Sequence, residues 1–151
     1  MKMSTKGRYG LRALIDLAQY SETEPVSITN IAARQGLSER YLEQLMSKLK
    51  KAELVKSVRG AGGGYVLAKP LEEISVGAVL RALEGSLEPV ECAGLEDGTG
   101  CQSSSGCVSK LVWKKINDSV NQAVDNIMLE ELVTESKKIC ANSKIEVIKC
   151  E

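Results

Sequence analysis

The sequence predicts a mainly α-helical fold: a winged helix-turn-helix with a β-hairpin wing, followed by a long helix suited to dimerisation. Three observations carry this. Two helical patterns are joined by the short turn Gly36-Leu37-Ser38. A strand, a glycine-rich tip and a returning strand follow directly. An apolar stripe then recurs from Val108 to Ile127. The chain has 151 residues, 43% of them apolar, enough for one domain with an appendage.

Leu11, Leu14, Ile15 and Ala18 fall at i, i+3, i+4 and i+7, an amphipathic stripe that places a first helix at about Thr5–Tyr20. Residues 21–25 form a polar turn. Ser27 offers an N-cap to a short helix through Ile28, Ile31, Ala32 and Gln35, and Gly36 stops it. Ser38 caps the next helix. Its apolar positions, Leu42, Leu45, Met46 and Leu49, repeat the same spacing, and its other face holds Arg40, Glu43, Gln44, Ser47, Lys48 and Lys51. A short helix, a tight turn and a second helix with a polar outer face form a helix-turn-helix pattern, although any small helical bundle contains such pairs.

The hairpin is what singles this pair out. Leu54-Val55-Lys56-Ser57-Val58 alternates and is β-prone, Arg59-Gly60-Ala61-Gly62-Gly63-Gly64 is the tip, and Tyr65-Val66-Leu67 returns. The glycines match neither dinucleotide-binding nor P-loop spacing, and no helix begins there, so a nucleotide cradle is set aside. A glycine-rich wing with Arg59 at its base can press its backbone against a DNA groove.

Ser75 caps a further helix over 76–84, with Val79, Leu80 and Leu83 apolar. From Gly85 to Gly106 every periodicity breaks, and Cys92, Cys101 and Cys107 lie in or at the end of this stretch. Structureless loops of about 20 residues are uncommon in compact domains unless they serve a function. Beyond it, Val108, Val112, Ile116, Val120, Val124 and Ile127 share one side of a helix read over 108–133, with Leu111 and Ala123 widening the stripe. Such a helix exposes more apolar surface than the preceding domain can cover. Pairing with a second copy across a two-fold axis is the economical answer, and packing back on its own domain is the alternative. The expected division is therefore residues 1–84 as the winged-helix unit, 85–107 as a cysteine-containing cluster-binding loop, 108–133 as the dimerisation helix and 134–151 as a flexible tail, in which 145–148 could form a short strand.

Net charge is zero but unevenly spread. Residues 1–70 hold seven Lys and five Arg against one Asp and five Glu; residues 71–151 hold eight bases against fourteen acids. The basic half is the one that meets a polyanion. With no His in the chain, catalytic triads and imidazole metal sites are excluded. With no Phe, one Trp and four Tyr, a stacking platform for single strands is not expected. Apolar runs stay far below the roughly 18 residues of a membrane span, and the charged N-terminus leads into an amphipathic pattern, so a cytoplasmic protein without a membrane partner is expected. Double-stranded DNA fits the basic half. Its phosphates supply salt-dependent affinity, the helix from Ser38 to Lys51 enters the major groove, Gln44 reads adenine, and Glu43 accepts from cytosine N4. Two copies then read a roughly palindromic operator.

The spacing Cys92-x8-Cys101-x5-Cys107 gathers three thiols in a Gly/Ser-rich loop. Thiolates suit zinc or iron–sulfur clusters, and the wide, unequal gaps depart from the paired cysteines of structural zinc, which favours iron–sulfur. A thiol enzyme is disfavoured by the absence of C-x-x-C and of any His. A zinc-stabilised protein-interaction module stays open as a rival of another class.

Together, Ser4-Thr5-Lys6-Gly7-Arg8-Tyr9-Gly10, Tyr41-Leu42-Glu43-Gln44-Leu45, the Val58–Tyr65 wing and the three-cysteine loop resemble the family of bacterial winged-helix regulators that includes the iron–sulfur cluster regulator IscR and its relatives NsrR and CymR. The resemblance covers about residues 1–133. It implies a homodimeric transcriptional repressor that carries an iron–sulfur cluster, [2Fe–2S] favoured and [4Fe–4S] the alternative, senses cluster, iron or redox status, and controls cluster-biogenesis genes. A cysteine-metabolism or nitric-oxide-responsive repressor of the same fold is the neighbouring expectation. Carried over by motif, the cluster ligands are Cys92, Cys101 and Cys107. The DNA contacts are Ser4, Lys6, Tyr9, Ser38, Arg40, Tyr41, Glu43, Gln44, Arg59, Gly60 and Gly62. One position departs: where the family has a His ligand three residues after the last Cys, this chain has Lys110. Replacement ligands are sought among Glu91, Glu96 and Asp97 of the loop, an acid of the partner's N-terminal helix such as Asp16, Cys140 or Cys150, and solvent or a small thiol, with a carboxylate oxygen favoured.

Overall fold

The computed structural model describes residues 2–92, 101–103 and 105–143. Among these, the elements run α1 (Thr5–Tyr20), α2 (Ile28–Gln35), α3 (Glu39–Lys51), β1 (Val55–Val58), β2 (Gly64–Leu67), α4 (Val76–Glu84), α5 (Lys110–Asp125) and α6 (Leu129–Asn142), with a short 3-10 turn at Leu71–Glu73. The winged helix-turn-helix expected from the sequence is present.

The first four helices each begin on a serine. The hydroxyls of Ser4, Ser27, Ser38 and Ser75 accept from the backbone N–H of Lys6, Asn30, Tyr41 and Ala78 at 3.1–3.2 Å, satisfying donors that the helix itself leaves free. Gly36 ends α2 in the left-handed region at φ 65°, and the chain turns into α3.

Leu14 and Leu17 of α1, Ile31 of α2, Leu42, Leu45, Met46 and Leu49 of α3, and Val79 and Leu83 of α4 form one buried core, closed by Val55, Ile74 and Leu129. One ion pair lies beside it. The buried carboxylate of Asp16 accepts from Arg34 Nε at 2.9 Å, Arg34 Nη2 at 2.7 Å and Gln35 Nε2 at 2.9 Å. The Arg34 guanidinium also lies 4.1 Å from the Tyr20 ring centroid. Its hydrogen bond to Asp16 holds its pKa above the ordinary value, and the pair pins α2 to α1.

The wing is an antiparallel hairpin in the register Val55↔Leu67 to Val58↔Gly64. It is joined to the domain by an isolated bridge: Val26 N–H donates to Tyr65 O at 3.0 Å and Tyr65 N–H to Val26 O at 2.8 Å. A Cβ at Gly64 would collide with the Val26 carbonyl, and one at Gly63 with the Val58 carbonyl, so the fold itself requires glycine at both positions.

The C-terminal part departs from the expected architecture. The single helix over 108–133 is two helices. Val76 N–H donates to Ile127 O and Leu129 N–H to Ile74 O, both at 2.8 Å, and Met128 is extended in a bridge with Ser75. These bonds to a distant segment take residues 126–128 out of the helical ladder. α6 then buries Leu129 and Val133 in the core and packs along α1, with Ser136 Oγ donating to Gln19 Oε1 at 2.9 Å and Lys137 pairing with Glu22 at 2.5 Å. Residues 134–142 are thus helix rather than tail, while the strand considered for 145–148 lies outside the described residues. The apolar stripe is divided too: Val124 packs against Val76, Leu80 and Leu87 of its own chain. No helix among the described residues is long and apolar enough to cross a membrane.

Candidate nucleic-acid interface and cysteine loop

The amphipathic spacing of α3 sends Leu42, Leu45, Met46 and Leu49 inward and leaves Arg40, Glu43, Gln44 and Ser47 exposed, with the Ser38 cap exposed at the helix start. Arg59, Gly60 and Gly62 are exposed at the wing. Gly60 has φ 113°, a conformation that favours glycine. An added Cβ at Gly60 or Gly62 would have no heavy atom within 4 Å. Ser38, Arg40, Glu43 and Gln44 of the α3 segment and Arg59, Gly60 and Gly62 of the wing therefore lie on exposed surface.

Tyr9 and Tyr41 do something else first. Both are half-buried, and their rings meet edge-to-face at 6.3 Å between centroids and 85° between planes. The Tyr41 hydroxyl reaches Thr5 Oγ1 at 3.5 Å. The guanidinium carbons of Arg8 and Arg12 lie 5.9 and 5.6 Å from the Tyr9 ring centroid. The tyrosine pair joins α1 to α3 and carries two arginines, while Lys6 is exposed in the first turn of α1. Ser4 is engaged within the chain: its hydroxyl donates to Glu84 Oε1 at 2.6 Å.

Three further contacts, which no local sequence signal indicates, tie this surface to the scaffold. Glu84 accepts from the start of α1. Lys48 Nζ donates to Leu83 O at 3.1 Å, and Lys50 Nζ donates to Ser57 Oγ at 2.7 Å, linking α3 to the wing. The sequence places Lys48, though not Lys50, on the polar face of this helix, and nothing local in it names the acceptor of either.

Cys92 and Cys101 are exposed free thiols, and Cys107 is a half-exposed one at the start of α5. Its sulfur lies 3.2 Å from Ser109 Oγ. That hydrogen bond first, then the Lys110 backbone N–H and charge, hold its pKa below the ordinary thiol value. Among the described residues no three candidate ligands converge on one point. Three free thiols without an imidazole nevertheless make a soft donor set that suits an iron–sulfur centre better than a hard cation. Of the candidate fourth ligands, Asp16 is excluded by its burial against Arg34 and Gln35, and Cys140 is disulfide-bonded. Glu91 is exposed beside Cys92. Glu96, Asp97 and Cys150 lie outside the described residues.

A capped recognition helix, a glycine-tipped hairpin and an N-terminal helix packed beside them define the winged helix-turn-helix class. Comparison with known proteins narrows it. Residues 3–135 match Rrf2, described as an iron-dependent transcriptional regulator, and the chain belongs to this family. It is 44% identical over 133 residues to the HTH-type transcriptional regulator IscR of Pectobacterium carotovorum, covering 88% of this chain and 79% of that one. It is similar to the solved structure of T. potens IscR, with a TM-score of 0.74 and 43% identity over 96% of this chain and 93% of that one. It is also similar to CymR, the global cysteine regulator of B. subtilis, with a TM-score of 0.73 and 41% identity over 89% and 98% of the two chains. The chain is thus a transcriptional regulator of the IscR type, not an enzyme.

Proposed function

We propose that this regulator works as a cytoplasmic homodimer that binds a roughly palindromic operator, represses iron–sulfur cluster-biogenesis genes, and changes its DNA binding with the state of a cluster held by Cys92, Cys101 and Cys107. The observation that carries this reading is the combination, in one chain, of an open DNA-reading surface on α3 and the wing with free thiols in the segment between α4 and α5.

Arg40, Gln44 and Ser47 enter the major groove. Gln44 is suited to adenine and Glu43 to the amino group of cytosine. Glu43 also repels phosphate, so it discriminates between sites more than it adds affinity. Arg59 and the open backbone at Gly60 and Gly62 meet the adjacent minor groove, where a narrow groove attracts Arg. Dimerisation uses the start of α5 and the residues just before it, because Val108, Leu111 and Val112 are 77%, 63% and 53% exposed, an apolar stripe that needs a partner.

When bound, an iron–sulfur centre supplies redox and ligand-exchange chemistry and ties the thiols of the loop together, [2Fe–2S] being the first assignment and [4Fe–4S] the second. The chain's own part is to present thiolates, and Ser109 with the Lys110 N–H favours that form at Cys107. Anaerobic purification with iron and sulfide quantification and a visible spectrum tests this. Cys→Ser at 92, 101 or 107 abolishes the cluster, whereas Cys→Ser at 140 or 150 leaves it. Stoichiometric zinc in place of iron and sulfide defeats the assignment.

A further inference from the structure

The first turn of α1 lacks something its start signals demand. In a capping box the N-cap hydroxyl serves one N–H of the first turn, and an acid at the third helical position reaches back to the N-cap N–H. Ser4 is the N-cap, but the third position is Gly7 and the first turn holds no acidic residue. The missing carboxylate comes from Glu84, the last residue of α4. Its Oε1 accepts from Ser4 N at 3.1 Å, Ser4 Oγ at 2.6 Å and Gly7 N at 3.0 Å. An anion is also favoured there by the helix dipole.

The neighbouring glycines make room for it. A Cβ at Gly7 would collide with Glu84 Oε1, and one at Gly10 with the Leu83 side chain. The end of α4 therefore sits in a notch cut into α1. The same end holds the recognition helix, since Lys48 Nζ donates to Leu83 O at 3.1 Å. Leu83 and Glu84 thus hold both helices that carry the candidate DNA contacts.

We infer that Glu84 is a positioning residue for DNA binding: by capping α1 from a distance it fixes the first turn so that Lys6 stands at a phosphate beside α3. This rests on the DNA-binding reading above. Glu84 need not touch DNA; it acts through Lys6.

Binding of the full chain to a mixed-sequence duplex of about three helical turns, followed by anisotropy over a salt series, tests it. Glu84→Ala weakens binding about fivefold, in line with loss of a helix cap, and lowers the slope of log Kd against log salt by about one phosphate. Lys6→Ala reproduces the slope change, and the double variant does no worse than Glu84→Ala alone. Glu84→Gln, which keeps an acceptor oxygen, retains most of the affinity. Gly7→Ala displaces the carboxylate while leaving Glu84 in the chain and repeats the loss. A folded Glu84→Ala protein with the wild-type salt slope, or losses that simply add to those of Lys6→Ala, would overturn the inference and leave the DNA-binding reading intact. A wild-type chain that ignores duplex DNA at every salt concentration defeats both.

Discussion

Substituting the wing glycines one at a time separates what the fold needs from what DNA needs. Gly62 has no positive φ, and an added Cβ there has no heavy atom within 4 Å. Alanine therefore fits the folded protein and restricts the unfolded chain, which stabilises by about 0.4–1 kcal/mol, or about 1–4 °C in Tm for a chain of this size. On DNA the same methyl stands between the wing backbone and the groove. Overpacking of that kind costs roughly 1–2 kcal/mol, about five- to thirtyfold in Kd. Gly64 is the contrast. Its Cβ would collide with the Val26 carbonyl and part the bridge made by Val26 N–Tyr65 O at 3.0 Å and Tyr65 N–Val26 O at 2.8 Å. Two backbone bonds at about 0.5–1.5 kcal/mol each make Gly64→Ala destabilising by about 1–3 kcal/mol. Thermal unfolding and fluorescence anisotropy on one duplex at fixed salt are measured for both variants. Stability and affinity should move in opposite directions for Gly62→Ala and fall together for Gly64→Ala. A Gly62→Ala protein that binds DNA like the wild type refutes the placement of the wing tip against the groove.

Three other outcomes are expected. Asp16→Ala leaves Arg34 without its carboxylate beside the core; because Arg34 retains 18% exposure and can turn to water, the loss is about 2–3 kcal/mol, below the upper range for a broken buried pair, and is read by thermal unfolding. Leu111→Asp combined with Val112→Asp yields a folded monomer by sedimentation, and an intact dimer would move the interface off α5. Glu43→Ala relaxes discrimination among randomised palindromes by roughly 1–3 kcal/mol at one position, and an unchanged preferred sequence would remove Glu43 from base readout.

The boundaries of α1 to α4 were legible because the signals that set them are local. A serine oxygen reaches an N–H two or three residues on, as Ser27 does with Asn30, and the apolar stripe of α3 is visible within its own residues. The wing was legible for the same reason, its strands and glycine tip being contiguous. Surface exposure of Arg40, Glu43 and Gln44 follows directly from that periodicity. What stayed hidden depends on contacts distant in sequence. Asn126, Ile127 and Met128 continue a helical pattern, yet bonds from the 74–76 segment to Ile127 and Leu129 outcompete it. The apolar stripe is therefore split, with Val124 turned to its own α4 and Val108, Leu111 and Val112 left exposed.

The candidate site divides along the same line. The motif at the chain's start offers Ser4 as a DNA contact, and within the fold its hydroxyl donates to Glu84. Gly7 and Gly10 lie inside the helix expected over Thr5–Tyr20, and only the fold shows that Glu84 and Leu83 occupy the space they leave. Asp16 reads as a candidate ligand until Arg34 and Gln35 enclose it. In each case the residue's type was informative about its chemistry, an acceptor, a gap or a carboxylate, while its partner was set by packing between helices. The fold leaves the carried-over residues of α3 and the wing, Arg40, Glu43, Gln44, Arg59, Gly60 and Gly62, exposed to a molecule outside the chain. At α1 the same kind of residue first satisfies the fold, as Ser4 does with Glu84.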